Sequence, residues 1–155
     1  MLEDARILVT GGCGFIGSNF ILHLLKRYPG CEVVNLDKLT YASNPANLRD
    51  VGDDSRYRFV RGDICDAEIV GPLMAEVDVV FNFAAETHVD RSLMEAGTFI
   101  LTDVLGTHVL LEAARHHPNL RRFVQVSTDE VYGDMPPGKY ARESDPLHPR
   151  SPYAA

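Results

Sequence analysis

The sequence predicts an α/β protein built on a doubly wound parallel sheet. Three observations predict it. Short apolar, β-branched runs alternate with segments of helical period from the first residues onward. Brief Gly- or Pro-containing punctuation separates them, as right-handed strand–helix–strand crossovers require. A glycine-rich turn joins the first strand to the first helix.

The elements follow in order. Arg6-Ile7-Leu8-Val9-Thr10 is a strand closed by Gly11-Gly12. From about Phe15 to Tyr28 the period becomes helical: Ile16, Phe20 and Leu24 share a face with Ile21 and Leu25. Lys26 and Arg27 suit the last turn of that helix, and Pro29-Gly30 stops it. Glu32 to Asp37 is a second strand with a buried centre, and Tyr57 to Arg61, more alternating, is a third and edge-like one. A short helix is expected over Ala67 to Glu76, with Pro72 inside it, and a fourth strand over Asp78 to Phe83. A longer helix, roughly Gly97 to His117, is apolar over most of its circumference through Phe99, Ile100, Val104, Leu105, Leu110 and Leu111. It reads as buried or as a subunit interface. Arg122 to Ser127 is a fifth strand, and Thr128 to Pro152, with five prolines, reads as loop.

Composition narrows the function classes. With 155 residues, 45% of them hydrophobic, the chain fits one domain over residues 1–155. The net charge of −7 arises from 15 basic and 22 acidic residues with no basic block, which argues against a nucleic-acid or anionic-membrane surface. Its apolar runs fall far short of the ~20 residues of a membrane span. Cys13, Cys31 and Cys65 have no Cys-x-x-Cys spacing and read as reduced thiols, and the histidines show no ligand spacing, so no metal is expected. These features, with an acidic start unlike a secretory signal, lead to a cytoplasmic expectation.

Gly11-Gly12-Cys13-Gly14-Phe15-Ile16-Gly17 follows a strand and opens a helix. Taken singly, a glycine triplet is a tight turn and a strand-end aspartate is a solvated residue. The order strand, glycine turn, helix, strand and acid makes a dinucleotide site the better reading. Gly11 and Gly14 allow close backbone approach to a pyrophosphate, Gly17 lets the helix pack on the strand, and the positive helix end faces the phosphates. Asp37, 20 residues after Gly17, would accept both adenosine ribose hydroxyls and favours NAD over NADP, with Lys38 beside it the one dissenting charge.

The Gly-x-x-Gly-x-x-Gly spacing resembles the extended short-chain dehydrogenase/reductase superfamily, whose fold is of the Rossmann type. Leu36-Asp37-Lys38-Leu39-Thr40-Tyr41-Ala42, Gly62-Asp63-Ile64-Cys65-Asp66, Ala84-Ala85-Glu86-Thr87-His88-Val89-Asp90-Arg91-Ser92 and Val126-Ser127-Thr128-Asp129-Glu130-Val131-Tyr132-Gly133 look like nucleoside-diphosphate-glucose 4,6-dehydratases. The resemblance covers almost the whole chain. It implies NAD contacts from Phe15, Ile16, Asp37, Lys38, Leu39, Thr40, Asp63, Ile64, Ala84, Ala85, Glu86 and Thr102, and substrate contacts from His88 and Thr128. It also implies a reaction on a nucleoside-diphosphate glucose, dTDP-glucose first, although the nucleotide base is left open by these residues. Sugar C4 is oxidised, water is lost across C5–C6, and the hydride returns to C6. Tyr153 would be the base at the C4 hydroxyl and Thr128 would hold its oxygen. Glu130 would take the C5 proton, and Asp129, protonated, would donate to the departing C6 hydroxyl. Two adjacent carboxylates divide such roles when their surroundings push their pKa values apart.

Two departures qualify the resemblance. Asn is usual where Asp103 stands, so any link built on an amide donor there is in doubt. The superfamily lowers the pKa of its tyrosine with a lysine four residues on, a position two past Ala155. The natural polypeptide is therefore expected to be longer, with a substrate lobe outside these residues. The 155 residues alone are expected not to turn over. Relatives pair through the long helix and the one beginning near Tyr153, so the full-length protein is expected to be a homodimer. Two other readings stay open: an epimerase or decarboxylase of the same superfamily, in which the Asp129-Glu130 pair has no task, and a non-catalytic NAD-binding module.

Overall fold

The computed structural model describes residues 2–155. Five parallel strands form one sheet: β1 (Arg6–Thr10), β2 (Glu32–Asp37), β3 (Tyr57–Arg61), β4 (Val79–Asn82) and β5 (Arg122–Gln125), in the order β3-β2-β1-β4-β5. The expected α/β fold is thus observed, Rossmann-like, with β3 at an edge. The direction of winding reverses at β1, whose neighbours are β2 on one side and β4 on the other. Ligands of open α/β sheets bind at that reversal, outside the carboxyl ends of the strands.

Alternation along β1 divides the core into two layers. Ile7 and Val9 face α1 (Phe15–Arg27), packing with Ile21, Leu24 and Leu25. Leu8 faces the opposite layer, against α2 (Ala67–Ala75) and the long helical arm, with Val70, Leu73, Met74, Val80 and Leu110. All three strand residues are fully buried. The helix α2 begins at Asp66, whose carboxylate accepts from the Glu68 amide, and it accommodates Pro72.

The expected helix over 97–117 is one arm of three parts. The four-residue α4 (Ala96–Phe99) leads into a π-helical stretch, Ile100–Gly106, and then α5 (Thr107–Arg115). The widened turn is a local change of winding that 3.6-residue periodicity does not reveal, and such turns concentrate at functional sites. Of its apolar residues Phe99 and Leu110 are buried, whereas Ile100, Val104, Leu105 and Leu111 are exposed in the single chain. Three short elements lie where no helix was expected. They are 3₁₀ turns at Pro45–Val51 and Asp129–Tyr132 and a six-residue helix, α3 (Val89–Met94). The first is too short for periodicity to register, but Asn44, whose side chain accepts from the Ala46 amide, and Pro45 form a readable start signal. No helix among the described residues is long and apolar enough to cross a membrane.

Because Leu8 is fully buried at the centre of β1, Leu8→Ala should lower unfolding free energy by about 2–5 kcal/mol, read as a fall in the urea midpoint at unchanged slope.

Candidate active site

A cavity of about 630 Å³ opens along the carboxyl ends of the strands, a size typical of small-molecule and cofactor sites. Its floor is the turn after β1. Gly11 has φ +67°, and a Cβ there would lie 2.7 Å from the Ala84 nitrogen, so a side chain is excluded by both conformation and space. Its amide donates to the Leu36 carbonyl at 2.9 Å and its carbonyl accepts from the Gly14 amide at 3.1 Å. Gly17 then crosses the turn so closely that a Cβ would sit 2.8 Å from Gly12 Cα. The N-cap of α1 is Gly14, with no side-chain cap and no acid in the first turn. The first amides of α1 are left at the cavity wall for an anion.

At the end of β2, Asp37 is only 4% exposed. Its Oδ2 accepts from the Cys13 amide at 2.9 Å, and Oδ1 from the Leu39 amide at 2.8 Å and the Ser43 hydroxyl at 2.7 Å. Leu39 reaches that amide bond by adopting φ +61°. Three of the carboxylate's roughly four acceptor positions are filled, so it can accept further only in a fixed direction. Next to it the Lys38 ammonium pairs with Asp63 at 2.6 Å.

The other end of the cavity is organised by a row of polar side chains in register across three strands: Thr10, Asn82 and Gln125. The Thr10 hydroxyl donates to Asn82 Oδ1 and accepts from the Ala84 amide at 3.3 Å, while Asn82 Nδ2 donates to Gln125 Oε1 at 2.8 Å. Glu86, almost buried, accepts from the Tyr41 hydroxyl at 3.4 Å and pairs with Arg91 at 3.5 Å, and the Arg91 guanidinium lies 4.1 Å from the Tyr41 ring centre. The Glu86 amide donates to Asp103 Oδ1 at 2.8 Å. Burial, with the Glu86 carboxylate adding repulsion, pushes the Asp103 carboxyl up to about 6 despite that bond. An acceptor is all this link needs, so aspartate serves where an amide was expected. Burial and then Asp63 push the Cys65 thiol up to about 11, keeping it protonated.

Thr128 stands beyond β5 and opens the 3₁₀ turn that carries Asp129 and Glu130. Its hydroxyl accepts from the Glu130 amide at 3.3 Å and donates to Asp129 Oδ1 at 3.5 Å. Tyr153 lines the same cavity, its ring edge-on to Phe99 with centres 6.4 Å apart.

The cavity therefore brings together Gly11, Gly14, Phe15, Ile16, Gly17, Asp37, Lys38, Thr40, Asp63, Ile64, Ala84, Ala85, Glu86, Thr102, Thr128 and Tyr153. Four expected residues lie off its wall. Leu39 packs on the core and contributes only its backbone, because its positive φ turns the chain back on Asp37. His88, exposed at φ +81°, caps the start of α3, and Asp129 and Glu130 stand behind Thr128 on the 3₁₀ turn. Sequence reasoning missed Ser43, Gln125 and Thr98: a loop serine, a polar residue at a strand end and a threonine in the short α4 carry no periodic signal that marks a site. Among the described residues no cluster of His, Cys, Asp or Glu could hold a metal ion. The glycine cradle, the uncapped helix start and the buried carboxylate of Asp37 fit a dinucleotide.

A parallel sheet with such a cleft at its reversal defines a nucleotide-cofactor-binding α/β protein. The chain belongs to the GDP-mannose 4,6 dehydratase family, whose description matches residues 8–155. It is 53% identical over 154 residues to a dTDP-glucose 4,6-dehydratase of Streptomyces niveus, covering 97% of this chain and 45% of that protein. Its fold matches DesIV, a dTDP-glucose 4,6-dehydratase from Streptomyces venezuelae solved with NAD and TYD bound, with a TM-score of 0.90 and 52% identity over 96% of this chain and 47% of that one. A UDP-glucose 4-epimerase from Thermus thermophilus in complex with NAD matches with a TM-score of 0.83 and 36% identity, over 96% of this chain and 46% of that one. The chain thus spans a little under half the length of these relatives.

Asp103 gives the site a pH signature. Its folded pKa is raised, so the native state holds a proton that the unfolded state has released, and stability attributable to this group is lost as pH rises from about 4 to about 6. Asp103→Asn keeps the acceptor for Glu86 without the charge. Its advantage over wild type should grow through that range and level off near about 1 kcal/mol, a two-unit shift discounted for partial solvent screening. Thermal melts at a series of pH values test this, and parallel curves would refute it.

Proposed function

We propose that this chain is the cofactor-binding part of an NAD-dependent nucleoside-diphosphate-glucose 4,6-dehydratase, acting on dTDP-glucose. One observation carries the reading: the glycine turn and Asp37 line the same cavity as Thr128 and Tyr153. The dehydratase relatives support the same assignment.

NAD, when bound, supplies a hydride acceptor and donor at the sugar. The chain's own groups do the remaining work. The amides of the glycine turn and the start of α1 hold the pyrophosphate without a cationic side chain. Asp37, fixed by three donors, receives ribose hydroxyls. Lys38, Thr40, Asp63 and Ile64 surround the adenine end. Ala84, Ala85, Glu86 and Thr102 would also contact the dinucleotide. Tyr153 removes the C4 hydroxyl proton while the Thr128 hydroxyl orients that oxygen. Glu130 takes the C5 proton, which a ketone at C4 has made acidic, and Asp129 donates to the C6 hydroxyl as it leaves as water. The Thr128–Asp129 hydrogen bond ties the residue at C4 to the acid intended for C6. His88 contacts the substrate.

The whole protein performs the reaction, and these 155 residues alone do not turn over. The exposed apolar face of Ile100, Leu101, Val104 and Leu105 is covered by a second copy, making a homodimer in the cytoplasm. An epimerase shares this cofactor cleft, as the Thermus likeness indicates, but gives adjacent acids at 129 and 130 no task.

The test is mass spectrometry of dTDP-glucose after incubation with the full-length protein and no added NAD. Loss of one water is expected, and an unchanged sugar mass would overturn the dehydratase reading. Glu130→Gln and Tyr153→Phe should each lower kcat by about 10²–10⁴-fold, the ordinary contribution of a general base. In the glutamate variant a ketone at C4 should accumulate without dehydration.

A further inference from the structure

The cavity is strongly acidic: Asp37, Asp63, Glu86 and Asp103 line it, and among the described residues Lys38 is its one cationic side chain. Lys38 follows Asp37 directly, at the place where the adenosine ribose is received in the reading above. A cation in that position is the ordinary means of accepting a ribose 2′-phosphate. Asp37 alone therefore does not explain a preference for the unphosphorylated dinucleotide, because its neighbour carries the opposite charge.

The Lys38 ammonium is engaged by Asp63 Oδ2 at 2.6 Å. Asp63 is itself held from the other side, since its Oδ1 accepts from the Cys65 amide at 3.0 Å. That bond fixes the carboxylate through the turn after β3, independently of the lysine. We propose that Asp63 is a specificity-determining residue: it holds the Lys38 ammonium away from the ribose and so denies a 2′-phosphate the one cation that the described residues bring to the cavity. Each group responds to the other in the expected direction. The hydrogen bond to Asp63 raises the Lys38 pKa, and the Asp63 carboxyl, although burial pushes it up, is brought below its ordinary value by the Cys65 amide and Lys38 together.

The charge count sets the size of the effect. Asp37, Lys38 and Asp63 sum to −1, a poor receptor for a phosphate that carries about −1.5 to −2. Removing the Asp63 charge brings the trio to zero and releases the ammonium. Such a change should shift the ratio of affinities about tenfold or more.

The inference rests on the dinucleotide reading of the cleft. Its test equilibrates the full-length protein with equal concentrations of NAD and NADP and measures the nucleotide retained, by native mass spectrometry. Wild type should retain NAD. Asp63→Asn, which preserves an acceptor for the Cys65 amide, should raise the NADP-to-NAD ratio about tenfold. The gain should vanish in Lys38→Ala/Asp63→Asn. An unchanged ratio in Asp63→Asn, or a gain that survives loss of Lys38, would overturn the inference while leaving the cleft reading intact. Wild type retaining neither nucleotide would overturn both. Asp63→Ser, with a hydroxyl acceptor, gives the same ratio if the asparagine variant does not fold.

Discussion

The site depends on how closely the backbone crosses itself between Thr10 and Gly17. The start of α1 passes over the end of β1 with no room for a Cβ at Gly17, and Gly11 lies against the Ala84 backbone at a φ that other residues rarely adopt. This approach brings the amide end of α1, the end of β1 and the loop after β4 to one spot. A side chain at either glycine would separate them. The helix amides, the Asp37 loop and the 84–86 segment would then no longer face a common cavity.

A second constraint carries the arrangement sideways. Thr10, Asn82 and Gln125 occupy one row of the sheet, and their hydrogen bonds run from β1 through β4 to β5. Polar groups at 0% exposure, such as Thr10 and Asn82, are tolerated because each finds a partner in the row. The same bonds fix the height of β5 relative to β4. Thr128, just beyond β5, thereby lines the same cavity as the glycine turn, and Asp129 and Glu130 follow it on the 3₁₀ turn. The row thus links the end of β1, beside the glycine turn, to the end of β5, which leads to Thr128.

Much of this was legible in the sequence because it is periodic or local. The apolar run from Arg6 to Thr10 marked β1, the i, i+4 spacing in α1 marked Ile21, Leu24 and Leu25 on its packed face although Ile16 is exposed at the cavity, and the glycine spacing followed by Asp37 located the cleft. The edge position of β3 was readable from its alternating character. Other features arise from contacts distant in sequence. Ser43 reaches Asp37 only because Leu39 turns at positive φ. The π-helical turn at Ile100–Gly106 breaks no residue preference and leaves no mark on composition, yet it brings Thr102 and Asp103 to the cavity. Asp103 shows how a departure from a family pattern needs geometry to interpret: its partner is a donor, the Glu86 amide, from which an aspartate oxygen can accept as well as an amide oxygen can.

The Asp103 carboxyl belongs to a division of labour within the cavity. The glycine turn and the start of α1 present amides, which attract an anion without a titratable cation and without dependence on a long flexible side chain. Acids can then be concentrated elsewhere, where hydroxyls and protons must be handled. A lysine or arginine at the glycine turn would neutralise them and collapse the separation. The net charge of −7 and an anionic ligand are therefore compatible: amides at a helix start attract an anion, and the carboxylates of the cavity are each tethered by amides or a paired cation.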